Sequence, residues 1–165
     1  MRVLGIDPGS NVTGYGIVEG QGNSFAHIEN GLIAPAGGLP LPRRLLAIHS
    51  GLSRLIEKYR PEAVAIENVF VSKNARSSLI LGHARGVAML AACQAGLDAA
   101  EYTPSQVKGA VTGSGRASKD QIQRMVRALL KLPEVASEDA SDALAVAICH
   151  LNCAGLAERI ARARR

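Results

Sequence analysis

A chain of 165 residues, 47% apolar and 20% charged, has the size and make-up of one globular domain over residues 1–165, which excludes a disordered polymer. No apolar run reaches the length of a membrane span and the N-terminus reads as a strand, not a signal peptide, so a cytoplasmic protein with no membrane partner is expected. The net charge of +5 is unevenly placed: from Lys73 to Lys131 nine Lys or Arg face three acids, Asp98, Glu101 and Asp120. A basic field of that kind suits a polyanion, although a merely solubilising surface has the same composition.

In chain order, the apolar run Val3-Leu4-Gly5-Ile6 predicts a strand from Arg2 to Asp7. Pro8-Gly9-Ser10 turns it into a second strand near Thr13 to Glu19. Gly20-Gln21-Gly22-Asn23 marks a hairpin leading to a third strand, Ser24 to Ala34. After the Gly/Pro-rich stretch Pro35 to Pro42, the residues Leu41, Leu45, Ile48, Leu52, Leu55 and Tyr59 recur at gaps of three and four, the period of an amphipathic helix that Pro61 ends. A strand closing at Glu67 follows, then a helix from about Ala75 to Ala95, a short strand near Asp98 to Tyr102, and a helical turn or two from Pro104. Thr112-Gly113-Ser114-Gly115 reads as a flexible loop. Ser118-Lys119-Asp120-Gln121 reads as a capped helix start. The last helix is expected over about Ser137 to Asn152, with the Arg-rich end, about 158–165, continuing it or fraying. Three antiparallel strands followed by alternating helices and strands predict an α/β fold: a mixed five-stranded sheet flanked by helices on both faces.

Four acids fall where this arrangement can gather them. Asp7 and Glu67 each close an apolar run that reads as a doubly buried strand, and ligands of open α/β sheets bind at the carboxyl ends of strands. Asp139 and Asp142, three residues apart, share one face at the start of the last helix. Mutual repulsion among such carboxylates calls for a cation, and hard oxygen ligands suit magnesium. Each acid also has a plainer reading: Asp7 capping the turn at Pro8-Gly9, Glu67 pairing with a lysine, Asp139 and Asp142 favouring a helix N-terminus. The Gly-rich hairpin after Asp7 could instead cradle a nucleotide phosphate, as in the actin and sugar-kinase superfamily, but the chain holds no second copy of the element. Cys93, Cys149 and Cys153 lack C-x-x-C spacing, so buried free thiols are expected over a zinc site at Cys149, His150 and Cys153.

Taken together, Gly5-Ile6-Asp7-Pro8-Gly9-Ser10 with Gly14-Tyr15-Gly16, Ala65-Ile66-Glu67, Lys73-Asn74-Ala75, Gly82-His83-Ala84-Arg85-Gly86 and Asp139-Ala140-Ser141-Asp142-Ala143-Leu144-Ala145 resemble the RuvC family of crossover-junction endodeoxyribonucleases, in order and over almost the whole chain. The resemblance implies an RNase H-like fold, a homodimer, Mg²⁺ (two ions per subunit, with Mn²⁺ a plausible substitute) and paired symmetric nicking of four-way (Holliday) junction DNA. That activity would serve bacterial DNA recombination and the repair of DNA damage, with delivery by a branch-migration motor complex of the RuvA/RuvB type. It also implies that Asp7, Glu67, Asp139 and Asp142 are the catalytic, metal-binding carboxylates, that Lys108 and Lys119 stand beside the scissile phosphate, and that Phe70 stacks on unpaired bases. Asn68 stands where Gln is expected in some relatives, and the tail is short and Arg-rich.

The residues themselves lend these roles support. Phe70 is one of two Phe in a chain without Trp, just beyond Glu67, and an exposed ring there can stack on a base, whereas a core anchor is the plainer alternative. Lys73, Asn74, Arg76, Lys108, Arg116 and Lys119 are candidate DNA contacts, Lys119 also a catalytic one, against the alternative of solvated surface side chains. Ala75, Leu79, Gly82, Gly86 and Leu90 give the second helix a row of small residues suited to a twin subunit or to the chain's own sheet. Two other functions remain open: an RNase H-like nuclease acting on RNA, and a non-catalytic junction-binding module.

Overall fold

The computed structural model describes residues 1–21, 24–68 and 74–163. Its strands are β1 (Arg2–Asp7), β2 (Thr13–Gln21), β3 (Ser24–Ile33), β4 (Ala63–Glu67) and β5 (Ala99–Tyr102). Its helices are α1 (Leu41–Tyr59), α2 (Ala75–Gln94), α3 (Pro104–Thr112), α4 (Lys119–Leu130) and α5 (Glu138–Ala163). The strands lie in the order β3-β2-β1-β4-β5, with β1, β2 and β3 antiparallel and β4 and β5 parallel to β1. This is the mixed sheet expected. Gln21 pairs with Ser24 across the first hairpin, and its expected turn residues Gly22 and Asn23 lie outside the described residues.

The alternation of side chains along β1 and β4 divides the core in two. Val3 and Ala65 face α3, α4 and α5, in a cluster with Val107, Val126 and Leu144. Leu4, Ile6, Val64 and Ile66 face α1 and α2, packing with Ile48, Leu52 and Ala88. Central strands covered on both sides must be apolar throughout, which is why these runs do not alternate with polar residues.

Local chemistry sets the helix ends. Arg60 takes a left-handed conformation (φ 46°) after α1 and its N–H bonds to the Ile56 carbonyl, with Pro61 next. Ser118 and Gln121 close a reciprocal capping box at α4, and Thr103 and Gln106 do so at α3. The Thr112–Gly115 segment, read from sequence as flexible, is a tied turn. Gly113 closes α3 at φ 76°, while the Thr112 hydroxyl donates to Lys108 O and accepts from Ser114 N–H. The last helix runs to Ala163, well beyond Asn152, because the added stretch is rich in Ala, Leu, Glu and Arg, all good helix formers. No helix among the described residues is long and apolar enough to cross a membrane.

Candidate active site

β1 and β4 are parallel neighbours with Ile6 opposite Ile66, so Asp7 and Glu67 are the next residues on both strands at the same sheet edge. Because Ile6 and Ile66 face α1 and α2, both acids point to the other face, where α5 lies. Three glycines let α5 come close there. A Cβ on Gly5 would stand 2.0 Å from Ala143 O, one on Gly14 would stand 2.1 Å from Asp139 O, and one on Gly16 would stand 2.7 Å from the Leu144 side chain. Gly14 is the register partner of Asp7. The helix start carrying Asp139 therefore rests on the backbone beside Asp7, a contact that larger residues would hold off. The turn after Asp7 is fixed by buried Thr13, whose hydroxyl donates to Gly9 O at 2.7 Å, and by Arg44, which donates to Asn11.

The electrostatics follow from this gathering. The Asp7 carboxyl is pushed up from 3.8 to about 7, mostly by burial, then by the charges of Glu67, Asp142 and Asp139; Lys119 acts in the opposite sense. Burial also raises Glu67, with Asp142 adding to it and Lys119 and Lys108 opposing. Asp142 is raised by burial too, and Lys119 offsets part of that. Asp7 thus feels the charge of all three other acids. Among the described residues, no three acidic, histidine or cysteine side chains are clustered tightly enough to hold an ion as they stand. The donor set nevertheless fits a hard divalent cation: oxygen ligands only, partly desolvated, and driven toward protonation by one another.

Lys119 is the first residue of α4, and its ammonium lies on Glu138 and 3.7 Å from Asp142. Its bond to Glu138 raises its pKa. Sequence reasoning assigned Glu138 nothing; the only hint was its place beside Asp139 in the first turn of the helix. Lys108 is near enough to Glu67 to act on its charge. Arg116, together with Thr112, Ser114, Gln121, Arg124 and Met125, lines a groove of about 590 Å³ beside α4. Asn74 caps α2, its side chain accepting from Arg76 N–H at 2.9 Å, so its carbonyl has a structural task whatever else it contacts; Arg76 is exposed. Phe70 and Lys73 lie outside the described residues. Cys149 is buried, Cys93 and Cys153 are exposed, and His150 Nδ1 is 3.0 Å from the Tyr102 hydroxyl, which occupies one nitrogen of the candidate zinc ligand.

Compared with known proteins, residues 3–150 match the family model described as crossover junction endodeoxyribonuclease RuvC. The chain belongs to the RuvC family. All four carboxylates fall inside the match. A RuvC from Syntrophotalea carbinolica is 60% identical over 153 residues, covering 93% of this chain and 95% of that one. One from Geobacter sulfurreducens is 57% identical over 154 residues, 93% and 94% of the two chains. Among solved structures, Thermus thermophilus RuvC in complex with Holliday junction substrate superposes with a TM-score of 0.91 at 33% identity over 95% and 96% of the chains. The yeast mitochondrial Holliday junction resolvase Ydc2 shares the fold at 14% identity, with a TM-score of 0.69 over 94% and 80%. The sheet order and the helices on both faces are those of this RNase H-like group.

Proposed function

We propose that this chain resolves four-way DNA junctions by paired, symmetric phosphodiester hydrolysis, with Asp7, Glu67, Asp139 and Asp142 holding two Mg²⁺ ions. The observation that carries the reading is the gathering of β1, β4 and the start of α5 so that Asp7 is pushed up to about 7 by burial and by the other three acids. Magnesium, when bound, supplies charge neutralisation and a water of lowered pKa; manganese offers the same chemistry to oxygen ligands. The chain's own cations act on the phosphate. Lys119, with Lys108 nearby, faces the acid cluster and balances the negative charge that builds on the phosphate oxygens during displacement. In the free protein Glu138 holds Lys119, so substrate phosphate must compete for that ammonium. Arg76, Arg116, Lys73 and Asn74 track the DNA arms, which makes binding salt-dependent, and Phe70 stacks on an unpaired base.

A homodimer belongs to the same reading. Leu79, Gly82, Gly86 and Leu90 form one stripe of α2; Leu79 and Leu90 are 67% and 51% exposed, and a Cβ on either glycine would meet nothing within 4 Å. Pairing that stripe with its copy gives a two-fold assembly with two sites, matching a substrate that is itself nearly two-fold. The bacterial relatives support a bacterial setting; a cytoplasmic location and delivery by a branch-migration motor complex belong to the same proposal.

Labelled four-way junction, duplex and RNA substrates, incubated with Mg²⁺ or with EDTA, test the activity. Symmetric paired nicks on the junction that vanish in EDTA are expected. Preferential RNA cleavage, or a mobility shift with no cutting, would replace this reading with one of the two alternatives.

A further inference from the structure

We infer that Glu101 and Arg85 form a positioning pair for Glu67, acting through Asn68; the inference rests on reading Glu67 as a metal-binding acid. β4 and β5 are parallel with Ile66 opposite Glu101 and Glu67 opposite Tyr102, and the Asn68 N–H bonds to Tyr102 O at 2.7 Å where the ladder ends. Successive strand side chains alternate, so Glu67 faces α5 while its neighbours Ile66 and Asn68 face α1 and α2. On that opposite face, Asn68 Nδ2 donates to Glu101 Oε2 at 3.4 Å and Arg85 Nη2 reaches Glu101 Oε1 at 2.5 Å. One carboxylate thus divides its oxygens between Arg85 of helix α2 and the side chain of Asn68, the residue that follows Glu67.

Two features separate this pair from an ordinary surface ion pair. The Arg85 and Glu101 side chains are 28% and 29% exposed, against 76% and 65% for Arg124 and Asp120, a pair that belongs to a solvated helix face. Glu67 is half-buried and its side chain hydrogen-bonds to no other described residue, so the backbone beneath it helps to determine where its carboxylate points. β4 ladders with β1 as far as Ile66 and with the four-residue edge strand β5 as far as Glu67, so both ladders end at or just before the acid. The Arg85–Glu101–Asn68 chain adds the missing restraint from beneath the sheet, much as groups behind a metal ligand fix the ligand's orientation.

The test is calorimetric titration of the full-length protein with Mn²⁺ alone, beside single-turnover junction cleavage and junction binding in EDTA. Glu101→Ala and Arg85→Ala should each weaken Mn²⁺ binding and slow cleavage by about 10–100-fold and leave junction affinity within about twofold, whereas Arg85→Lys, which keeps the charge, should retain most of what Arg85→Ala loses. Mn²⁺ affinity equal to the parent's in Glu101→Ala would overturn the inference. So would losses appearing equally in junction binding and thermal stability, the pattern of a simple pin between α2 and β5. If Glu101→Ala does not fold, Asn68→Ala carries the test, because it leaves the ion pair intact; weakened Mn²⁺ binding is expected and parental affinity overturns the inference. A parent that neither binds Mn²⁺ nor cuts the junction defeats the proposed function itself, whereas an active parent with indifferent variants defeats only the positioning pair.

Discussion

Helices α5 and α2 cover opposite faces of the same sheet, and glycines appear at both places for opposite reasons. Under α5 the glycines are on the strands: Gly5, Gly14 and Gly16 leave no room for a Cβ, because the helix backbone or side chains already occupy the space. On α2 they are on the helix itself: Gly82 and Gly86 look outward into open space while Ala84, Ala88, Ala91 and Ala92 turn to the core. The first set brings elements of one chain into contact and assembles the acids. The second leaves a flat, partly apolar surface, the one that the proposed homodimer would use. A glycine row in sequence reports close approach, and only the structure tells whether the approaching partner is already present.

If the α5 face exists to gather charge, removing charge there should have the largest effect. Asp7→Asn is expected to cost cleavage about 10³-fold, roughly 4 kcal/mol of transition-state stabilisation, with junction affinity in EDTA nearly unchanged. Single-turnover kinetics with gel-shift binding on the same preparation measure both, and full activity would remove Asp7 from the mechanism. The same substitution should show a pH-dependent stability effect. Asp7 has a folded pKa of about 7 against 3.8 as its ordinary value, so between those pH values the folded chain holds a proton that the unfolded chain has released. Its contribution is fully present below about pH 4 and is lost as the pH rises through 7, up to about 4 kcal/mol by the one-unit rule. In EDTA, Asp7→Asn should therefore gain stability over the parent as the pH climbs from 4 to 8, and added Mg²⁺ should narrow the gap by stabilising the parent. A gap that does not change with pH, by urea denaturation, would mean that Asp7 is neither buried nor crowded by the other acids.

The packing side of the comparison predicts a smaller loss. Gly5→Ala drives a methyl group against the Ala143 carbonyl and should destabilise by about 3 kcal/mol, read as a lower midpoint of urea unfolding, because backbone cannot step aside as a side chain tip can. This is also where sequence reasoning stopped short. Strand ends at Asp7 and Glu67, the capped start of α4 at Ser118 and the paired acids of α5 were all readable, since each is written in consecutive residues through apolar runs or capping chemistry. The descent of α5 onto Gly14 was not, because Thr13-Gly14-Tyr15-Gly16 carries equally well a hairpin that cradles phosphate, and the deciding contact is with residue 139. Lys119 with Glu138 and Arg85 with Glu101 were hidden for the same reason: each joins elements that only folding brings together. The roles assigned to Phe70 and Lys73 remain readings of the sequence.

The α2 face predicts the smallest change, and one of divided sign. Gly86 sits inside a helix, where replacing Gly by Ala relieves conformational entropy and adds about 1 kcal/mol, and nothing within the chain stands in the way of the new methyl group. Gly86→Ala should therefore raise the monomer's stability. If the stripe Leu79, Gly82, Gly86 and Leu90 meets its own copy, the same methyl group enters the contact twice, once from each subunit, and holds the two helices apart. Dimer dissociation constants measured by sedimentation should then rise about tenfold, equivalent to 1.4 kcal/mol. Gly5→Ala cannot give that combination, because its clash lies within one subunit. A Gly86→Ala protein that is both more stable and as tightly dimeric as the parent would take the interface away from α2, while leaving the acid cluster on the other face untouched.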